Sequence, residues 1–247
     1  DWICETTSKP IRIHAIGAAL TIVGTLINRK VYTASEPCGG VLYVASLVKA
    51  GGGKEHPMTC IKMALDAVST EGALHTPWHA SLPSLGNFLY DNAACTMVVD
   101  EFADELQRLK SRGAAASFSA INSALRTLWG LGFNSVWSPS VSITNGKKLV
   151  KKPAMSFYGA STLSTFRSLL NSEDVTNGLF SRFLILPRFS KVTKGREKTG
   201  IPELPVHLRE KLHWLYNCVG ELHQTMAKTG YGEVPPPILV PFEPDAA

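Results

Sequence analysis

Residues 41–68 constrain this chain more than any other stretch. Positions 41–48 form an unbroken apolar run containing Val41, Leu42, Tyr43 and Val44, which suits a strand buried on both faces. Met58, Ile61, Ala64, Leu65 and Val68 repeat at helical spacing. Between them lie Ala50, Gly51, Gly52, Gly53, Lys54, Glu55 and His56. Strand, glycine-rich turn, lysine and helix make the layout of a phosphate-binding loop. Glycines let successive backbone N–H groups turn toward a small anion without a Cβ clash. The helix start adds its unpaired N–H groups and the positive end of its dipole. Lys54 brings a full charge to the β- and γ-phosphates of a nucleotide. Pro57 is tolerated in the first turn, where its missing N–H would have had no intrahelical partner.

The motif departs from the general pattern at both ends. Glu55 stands where a serine or threonine hydroxyl usually binds Mg2+, and Leu47 stands where the first glycine is expected. A carboxylate can ligate Mg2+ directly, so Glu55 is a candidate metal ligand. The competing reading is a glycine-rich turn carrying a solvated lysine.

A second informative stretch is Cys95-Thr96-Met97-Val98-Val99-Asp100-Glu101, a short apolar strand ending in two carboxylates. In a phosphate-loop fold Asp100 would hold Mg2+, usually through water, and Glu101 would polarise the attacking water as the catalytic base. Acids at the carboxyl end of a parallel strand lie where such sheets bind ligands. The competing reading is an acid-rich start to a helix over 102–112 that Gly113 closes.

Residues 155–160 read as a third buried strand, running into Ser161 and Thr162. Either residue could touch the γ-phosphate or the attacking water, and either could cap the helix that follows, which runs through Leu170. Arg182 opens a fourth apolar strand. It reads either as a structurally paired arginine or as an arginine finger.

The remaining elements fill in around these. Residues 11–28 read as a helix that is apolar nearly all round, packed on most sides and closed by Arg29 and Lys30. His75 and His79 read as loop histidines. Residues 84–90 suit a short helix capped by Ser81 or Ser84, and Ser117 caps another. Asn145-Gly146 predicts a hairpin over 141–150, with Lys147, Lys148, Lys151 and Lys152 at its tip and exit. Residues 188–198 form a basic loop. Pro205 opens a last helix with Leu208, Leu212, Leu215, Val219, Leu222 and Met226 in one stripe, ended by Gly230. Residues 235–241 read as an extended tail.

With 247 residues, 45% of them hydrophobic and 18% charged, the chain can bury a sizeable core. The net charge of +5 permits a nucleic-acid partner without demanding one. The five cysteines form no C-x-x-C pair, which points to a reducing cytoplasm and no zinc. The uncharged stretch 15–27 is shorter than the ~20 residues of a membrane span, so no membrane partner is expected. Asp1 and the proline-rich end suggest a piece of a longer chain. The expected organisation is an N-terminal helical segment over 1–36 and an ATPase core over 37–247. The expected fold is a P-loop three-layer α/β/α sandwich of the AAA+ or RecA-like kind.

These motifs together resemble a known group, the helicase-like P-loop ATPases of phages, plasmids and integrated elements, often attached to primase-polymerase modules. The resemblance rests on Gly51-Gly52-Gly53-Lys54-Glu55-His56-Pro57 and on Val98-Val99-Asp100-Glu101-Phe102. It rests also on Ser156-Phe157-Tyr158-Gly159-Ala160-Ser161-Thr162 and on Gly178-Leu179-Phe180-Ser181-Arg182-Phe183-Leu184. Order and spacing agree from the first helix to about residue 190. Leu163 and Ala160 depart from the group, which tends to have proline and threonine there.

The resemblance implies an ATP-hydrolysing, Mg2+-dependent replication motor. It would work as a homo-oligomeric ring, most simply a hexamer, on single-stranded DNA, in a bacterial or phage-infected cytoplasm. A primase-polymerase module would act with it in cis or in trans. Lys54, Glu55, Asp100, Glu101 and the polar tip at 161–162 would come from one subunit and Arg182 from its neighbour. The hairpin before the third strand would carry Lys147, Lys148 and Lys151 toward DNA, and that position favours the AAA+ branch. A second class of function is a nucleotide-binding loader or scaffold with little turnover. A small-molecule kinase is more distant, because no lid or substrate motif stands out.

Overall fold

The computed structural model describes residues 1–33, 39–69, 73–111, 115–131, 136–139, 149–170, 178–189, 203–217 and 238–240. Among them the helices are α1 (Trp2–Glu5), α2 (Arg12–Ile27), α3 (Glu55–Asp66), α4 (Leu82–Asp91), α5 (Phe102–Ser111), α6 (Ala115–Gly130), α7 (Leu163–Leu169) and α8 (Val206–Asn217). The strands are β1 (Val31–Thr33), β2 (Tyr43–Val48), β3 (His75–Thr76), β4 (Ala94–Val99), β5 (Val136–Trp137), β6 (Val150–Lys151), β7 (Ala154–Thr162), β8 (Phe183–Pro187) and β9 (Ile238–Val240).

The apolar run at the start of the key stretch is β2, and every residue of it is buried. It lies inside a five-stranded sheet of order β3-β4-β7-β2-β8, with all four pairings parallel. A parallel sheet must be covered on both faces, because its crossover helices pack there. Tyr43, Ala45 and Leu47 of β2 join one core with α4, α5, α6 and α7. Val44 joins the other core with α2, α3 and α8. Side-chain alternation along one strand therefore feeds two apolar layers. The molecule is a mixed α/β fold with a central parallel sheet flanked by helices.

The first core is aromatic. Phe102 is fully buried, with its ring 6.0 Å from Phe157, 5.8 Å from Phe166 and 6.1 Å from Phe183. Gly159 makes room for it, since a Cβ there would stand 2.6 Å from Phe102 Cδ1. Phe102 opens α5, so this packing fixes the turn at 100–101 against β7.

Several expectations hold closely. α3 begins at Glu55, which leaves Pro57 in its first turn. Ser81 caps α4 by accepting from the Ser84 N–H. Pro205 accepts from the Leu208 N–H at the start of α8, and Leu212 is buried under it. Positions 218–230 of the predicted stripe lie outside the described residues.

Other expectations change. α2 is not packed on most sides: Ile13, Ile16, Leu20 and Val23 are 41, 50, 46 and 42% exposed. Its inward face combines the small residues Gly17, Ala18 and Gly24 with Ile22 and Leu26. At Gly17 a Cβ would lie 2.5 Å from Leu186 Cδ1. An apolar composition all round a helix thus gave no information about which face meets the sheet. Ser117 does not cap α6, because the helix already runs from Ala115. Alanine is the strongest helix former, and it carries the helix upstream of the serine. His75 is not in a loop but in β3, where it pairs in register with Thr96 of β4. The tail 238–240 is extended and forms β9, parallel to β1, with the Ile238 N–H donating to the Lys30 carbonyl at 2.7 Å.

The hairpin also differs. β5 and β6 form an antiparallel ribbon in which Trp137 faces Val150 and Val136 faces Lys151. A tight turn at Asn145-Gly146 would have set Val150 against Val141. The paired strand therefore starts at Val136, and residues 140–148, with Lys147 and Lys148, lie outside the described residues. No described helix is long and apolar enough to cross a membrane.

Candidate functional site

The register of the sheet brings three strand ends together. Leu47 of β2 pairs with Ser161 of β7, and Val48 pairs with Thr162. On the other side of β7, Val99 of β4 pairs with Gly159. Asp100 and Glu101 follow Val99 directly, so they emerge beside the end of β7. The loop 49–54 follows Val48 directly. Three candidate segments thus converge at the carboxyl end of the sheet, where ligands bind in open α/β folds.

The loop is shaped by its glycines. Gly51 has φ +69° and Gly53 has φ +87°, conformations that L side chains rarely adopt. The Gly52 N–H donates to the Lys49 carbonyl at 3.0 Å, which closes the first turn. Lys54 is the N-cap residue of α3 and is 8% exposed. Its ammonium donates to Glu101 Oε1 and lies 2.9 Å from Asp100 Oδ1. Burial acts to lower the Lys54 pKa, but the hydrogen bonds and charges of Glu101 and Asp100 outweigh it and hold the pKa above the ordinary lysine value.

Glu101 sits in a strained turn, with φ +48°. A non-glycine residue held there costs about 1–3 kcal/mol, and such strain gathers at functional sites. Two hydrogen bonds hold the turn. The Glu101 N–H donates to Asp100 Oδ1 at 2.9 Å, and the Glu101 carbonyl accepts from the Asp104 N–H at 2.9 Å. The backbone of Glu101 therefore starts α5, as the helix-terminus reading expected. Its carboxylate turns the other way, toward Lys54, and Glu101 Oε2 accepts from Ser161 Oγ at 3.5 Å.

Ser161 and Thr162 have different surroundings. Ser161 is buried and faces Glu101. Thr162 caps α7, accepting from the Thr165 N–H at 3.1 Å. Glu55 is exposed at the first turn of α3. His56 turns away from the acids: its Nε2 shares a 3.0 Å hydrogen bond with Thr6 Oγ1 and lies 3.3 Å from Cys60 Sγ. Ala50 is exposed in the turn.

Arg182 is not brought to this end. Phe183 pairs with Tyr43 at the start of β2, so Arg182 lies about five residues, or ~16 Å of strand, from the phosphate-loop end. It donates to the Gly178 carbonyl and lies over the Trp129 ring at 5.5 Å. Among the described residues it makes no ion pair. Lys151 is exposed on β6, also at the far end, and its carbonyl accepts from Arg29 Nη2 at 3.3 Å.

Sequence reasoning missed one contributor, the segment 6–11. Lys9 Nζ donates to the Gly51 carbonyl at 2.6 Å. Thr7, Ser8 and Lys9 line a cleft of about 420 Å³ together with Gly51, Gly53, Glu55 and His56. Nothing in the sequence signals this approach, because Lys9 and Gly51 are brought together only by the fold.

Among the described residues no group of three or more His, Cys, Asp or Glu is arranged as a metal site. Asp100 and Glu55 each offer one carboxylate beside the loop. That donor set fits Mg2+, which takes one or two carboxylates together with phosphate oxygens and water. It does not fit a closed zinc site. A scan against protein-family models finds no match, and a search of curated proteins finds none.

Proposed function

We propose that this chain is the ATP-hydrolysing motor domain of a helicase-like replication protein, of the P-loop class. One observation carries the reading: the Lys54 ammonium at the glycine-rich loop meets both Asp100 and Glu101 at the end of a neighbouring parallel strand. A solvated lysine on a surface turn would not be 8% exposed between two carboxylates. The strand order supports the same class, because β7 lies between the loop strand β2 and the acid strand β4. That arrangement puts Ser161 between the loop and Glu101.

In this reading the loop N–H groups and the α3 start hold the phosphates, and Lys54 leaves the acids to neutralise them. Mg2+, held by Asp100 with Glu55 as a second candidate, would supply charge neutralisation on the phosphate oxygens. Glu101 takes the proton of the attacking water, and Ser161 orients the Glu101 carboxylate. Arg182 is too far to serve its own subunit, so it would act on a neighbour's site in a ring, most simply a hexamer. The ribbon β5–β6 immediately precedes β7. Lys151 on it, with Lys147 and Lys148 beyond, would neutralise phosphates of single-stranded DNA without reading bases. A primase-polymerase partner follows from the family resemblance alone.

The test is steady-state hydrolysis of ATP with Mg2+, with and without single-stranded DNA. Turnover that DNA stimulates supports the motor. Tight nucleotide binding with negligible turnover in either condition would make the chain a loader or scaffold instead. Absence of nucleotide binding would overturn both.

A further inference from the structure

We propose that Lys9 is the second cation of the phosphate loop, the one that an incoming polyphosphate meets first. This deepens the reading above and rests on it. Lys54 and the exposed Lys49 belong to the loop, and Lys9 reaches it from the segment 6–11. The charge of Lys54 is already taken up by Asp100 and Glu101. Lys9 is half-buried, and its ammonium has the neutral Gly51 carbonyl, 2.6 Å away, as its acceptor. Among the described residues it makes no ion pair. A cation whose acceptor is a neutral carbonyl is thus held against the turn whose N–H groups would receive an anion. Ionised acceptors make hydrogen bonds roughly twice as strong as neutral ones, so a phosphate oxygen would displace the Gly51 carbonyl.

The segment that carries Lys9 is fixed before any ligand arrives. On one side Thr6 Oγ1 is bonded to His56 Nε2 in the first turn of α3, at 3.0 Å. On the other side the Pro10 carbonyl accepts from Arg188 Nη1 at 3.4 Å, and Ile11 is buried. The segment lies so close to the loop that a Cβ on Gly53 would stand 3.0 Å from Lys9 Cβ. The Lys9 side chain lines the cleft together with Gly51 and Gly53. Holding the backbone in place lowers the entropic cost of binding, which is how a preorganised site gains affinity. The chemistry commits Lys9 to phosphates, because an ammonium with three donors and no acceptor offers a base edge little selectivity.

The experiment compares wild type, Lys9→Ala, Lys9→Arg and Lys54→Ala by calorimetric titration with ATP and with inorganic triphosphate, each at low and high salt. Unliganded melting temperature serves as the folding control. Lys9→Ala should melt like wild type and bind both ligands about tenfold more weakly, the size of one charge-assisted hydrogen bond. The deficit should shrink as salt screens the charge. Lys9→Arg should recover most of the affinity. Wild-type affinity in Lys9→Ala overturns the inference while leaving the phosphate loop intact, provided Lys54→Ala loses binding. A deficit for ATP that is absent for triphosphate, or that is the same at every salt concentration, overturns it as well. Failure of wild type to bind either ligand removes the phosphate loop, and Lys9 with it.

Discussion

The Lys54 ammonium and the Glu101 carboxylate form a direct ion pair across the carboxyl end of the sheet. The pair joins the cation that would hold phosphates to the base that would activate water. In the proposed function nucleotide binding would part them, and parting them would free Glu101 for water. Glu101→Gln should keep ATP affinity at or above the wild-type level, because its amide competes less strongly for Lys54. Turnover should fall by ~10²–10⁴, the usual contribution of a general base. Lys54→Ala should instead lose nucleotide affinity. Titration and steady-state kinetics on the two variants check both, and near wild-type hydrolysis by Glu101→Gln would refute the role.

Gly51 and Gly53 share a positive φ but not a neighbourhood. Alanine at either position carries a left-handed penalty of about 1–2 kcal/mol. A Cβ at Gly51 meets nothing within 4 Å, so that turn can relax. Gly51→Ala should weaken nucleotide binding with little change in melting temperature. A Cβ at Gly53 meets Lys9 at 3.0 Å, so the loop is boxed in. Gly53→Ala should lower both affinity and melting temperature. Equal melting temperatures for the two variants would contradict the close approach of the segment 6–11.

His14 provides a pH test of the fold. It is fully buried in α2, with Nε2–H donating to the Leu186 carbonyl at 3.0 Å. Desolvation lowers its pKa below 6.5, and the nearby Arg188 charge adds to this, against the hydrogen bond to Leu186. The unfolded chain therefore takes up the proton first. The stability tied to neutral His14 is fully present above pH 6.5 and is lost as pH falls toward the folded value, at up to about 1.4 kcal/mol per pH unit. Urea unfolding of wild type and His14→Gln from pH 7.5 to 5 should show a steeper loss in wild type. Parallel curves would place the proton elsewhere.

Much of this site could be read from the chain, because its parts are local. A glycine turn before a helix, or two acids after a strand, is visible as a string of neighbours. The choice between Ser161 and Thr162 was not visible, since each can cap a helix. In the fold Ser161 meets Glu101 while Thr162 caps α7. The same limit hid Lys9, whose partner Gly51 comes near only through folding. In α2, hydrophobicity on every face hid which face is buried, and the small residue Gly17 marked it instead. β3 was missed because a pair such as His75 and Thr76 forms a strand only by borrowing hydrogen bonds from β4.

The basic ribbon makes a prediction about DNA. Lys151 is exposed on β6, and Lys147 and Lys148 lie between the paired strands in sequence. Lysines bound to phosphates release counterions, so removing one such lysine should reduce the slope of log K against log salt by ~0.7 for single strands. The double variant Lys147→Ala/Lys148→Ala should show about twice that reduction, ~1.4, in a salt series. Its DNA-stimulated hydrolysis should fall while basal hydrolysis stays. An unchanged slope in folded, assembled protein would move the DNA-binding surface to the basic loop 188–198.

Arg182 decides whether the active unit is one chain or several. Its place at the start of β8 separates it from its own loop by the length of β2. It has no carboxylate partner among the described residues. A buried ion pair broken on one side costs roughly 3–5 kcal/mol, a cost that Arg182→Ala should escape if Arg182 has no carboxylate partner, as among the described residues. The variant gives up only the packing on the Trp129 ring and the hydrogen bond to Gly178, so its melting temperature should drop only slightly. If Arg182 completes a neighbour's site, the variant should bind ATP normally and hydrolyse it poorly. Mixing it with Glu101→Gln should then restore part of the activity, because some interfaces join an intact base to an intact arginine. Restoration can occur only if the two residues act from different chains. Two inactive variants that stay inactive at every mixing ratio, while co-assembling, would confine Arg182 to a structural role at the far end of the sheet.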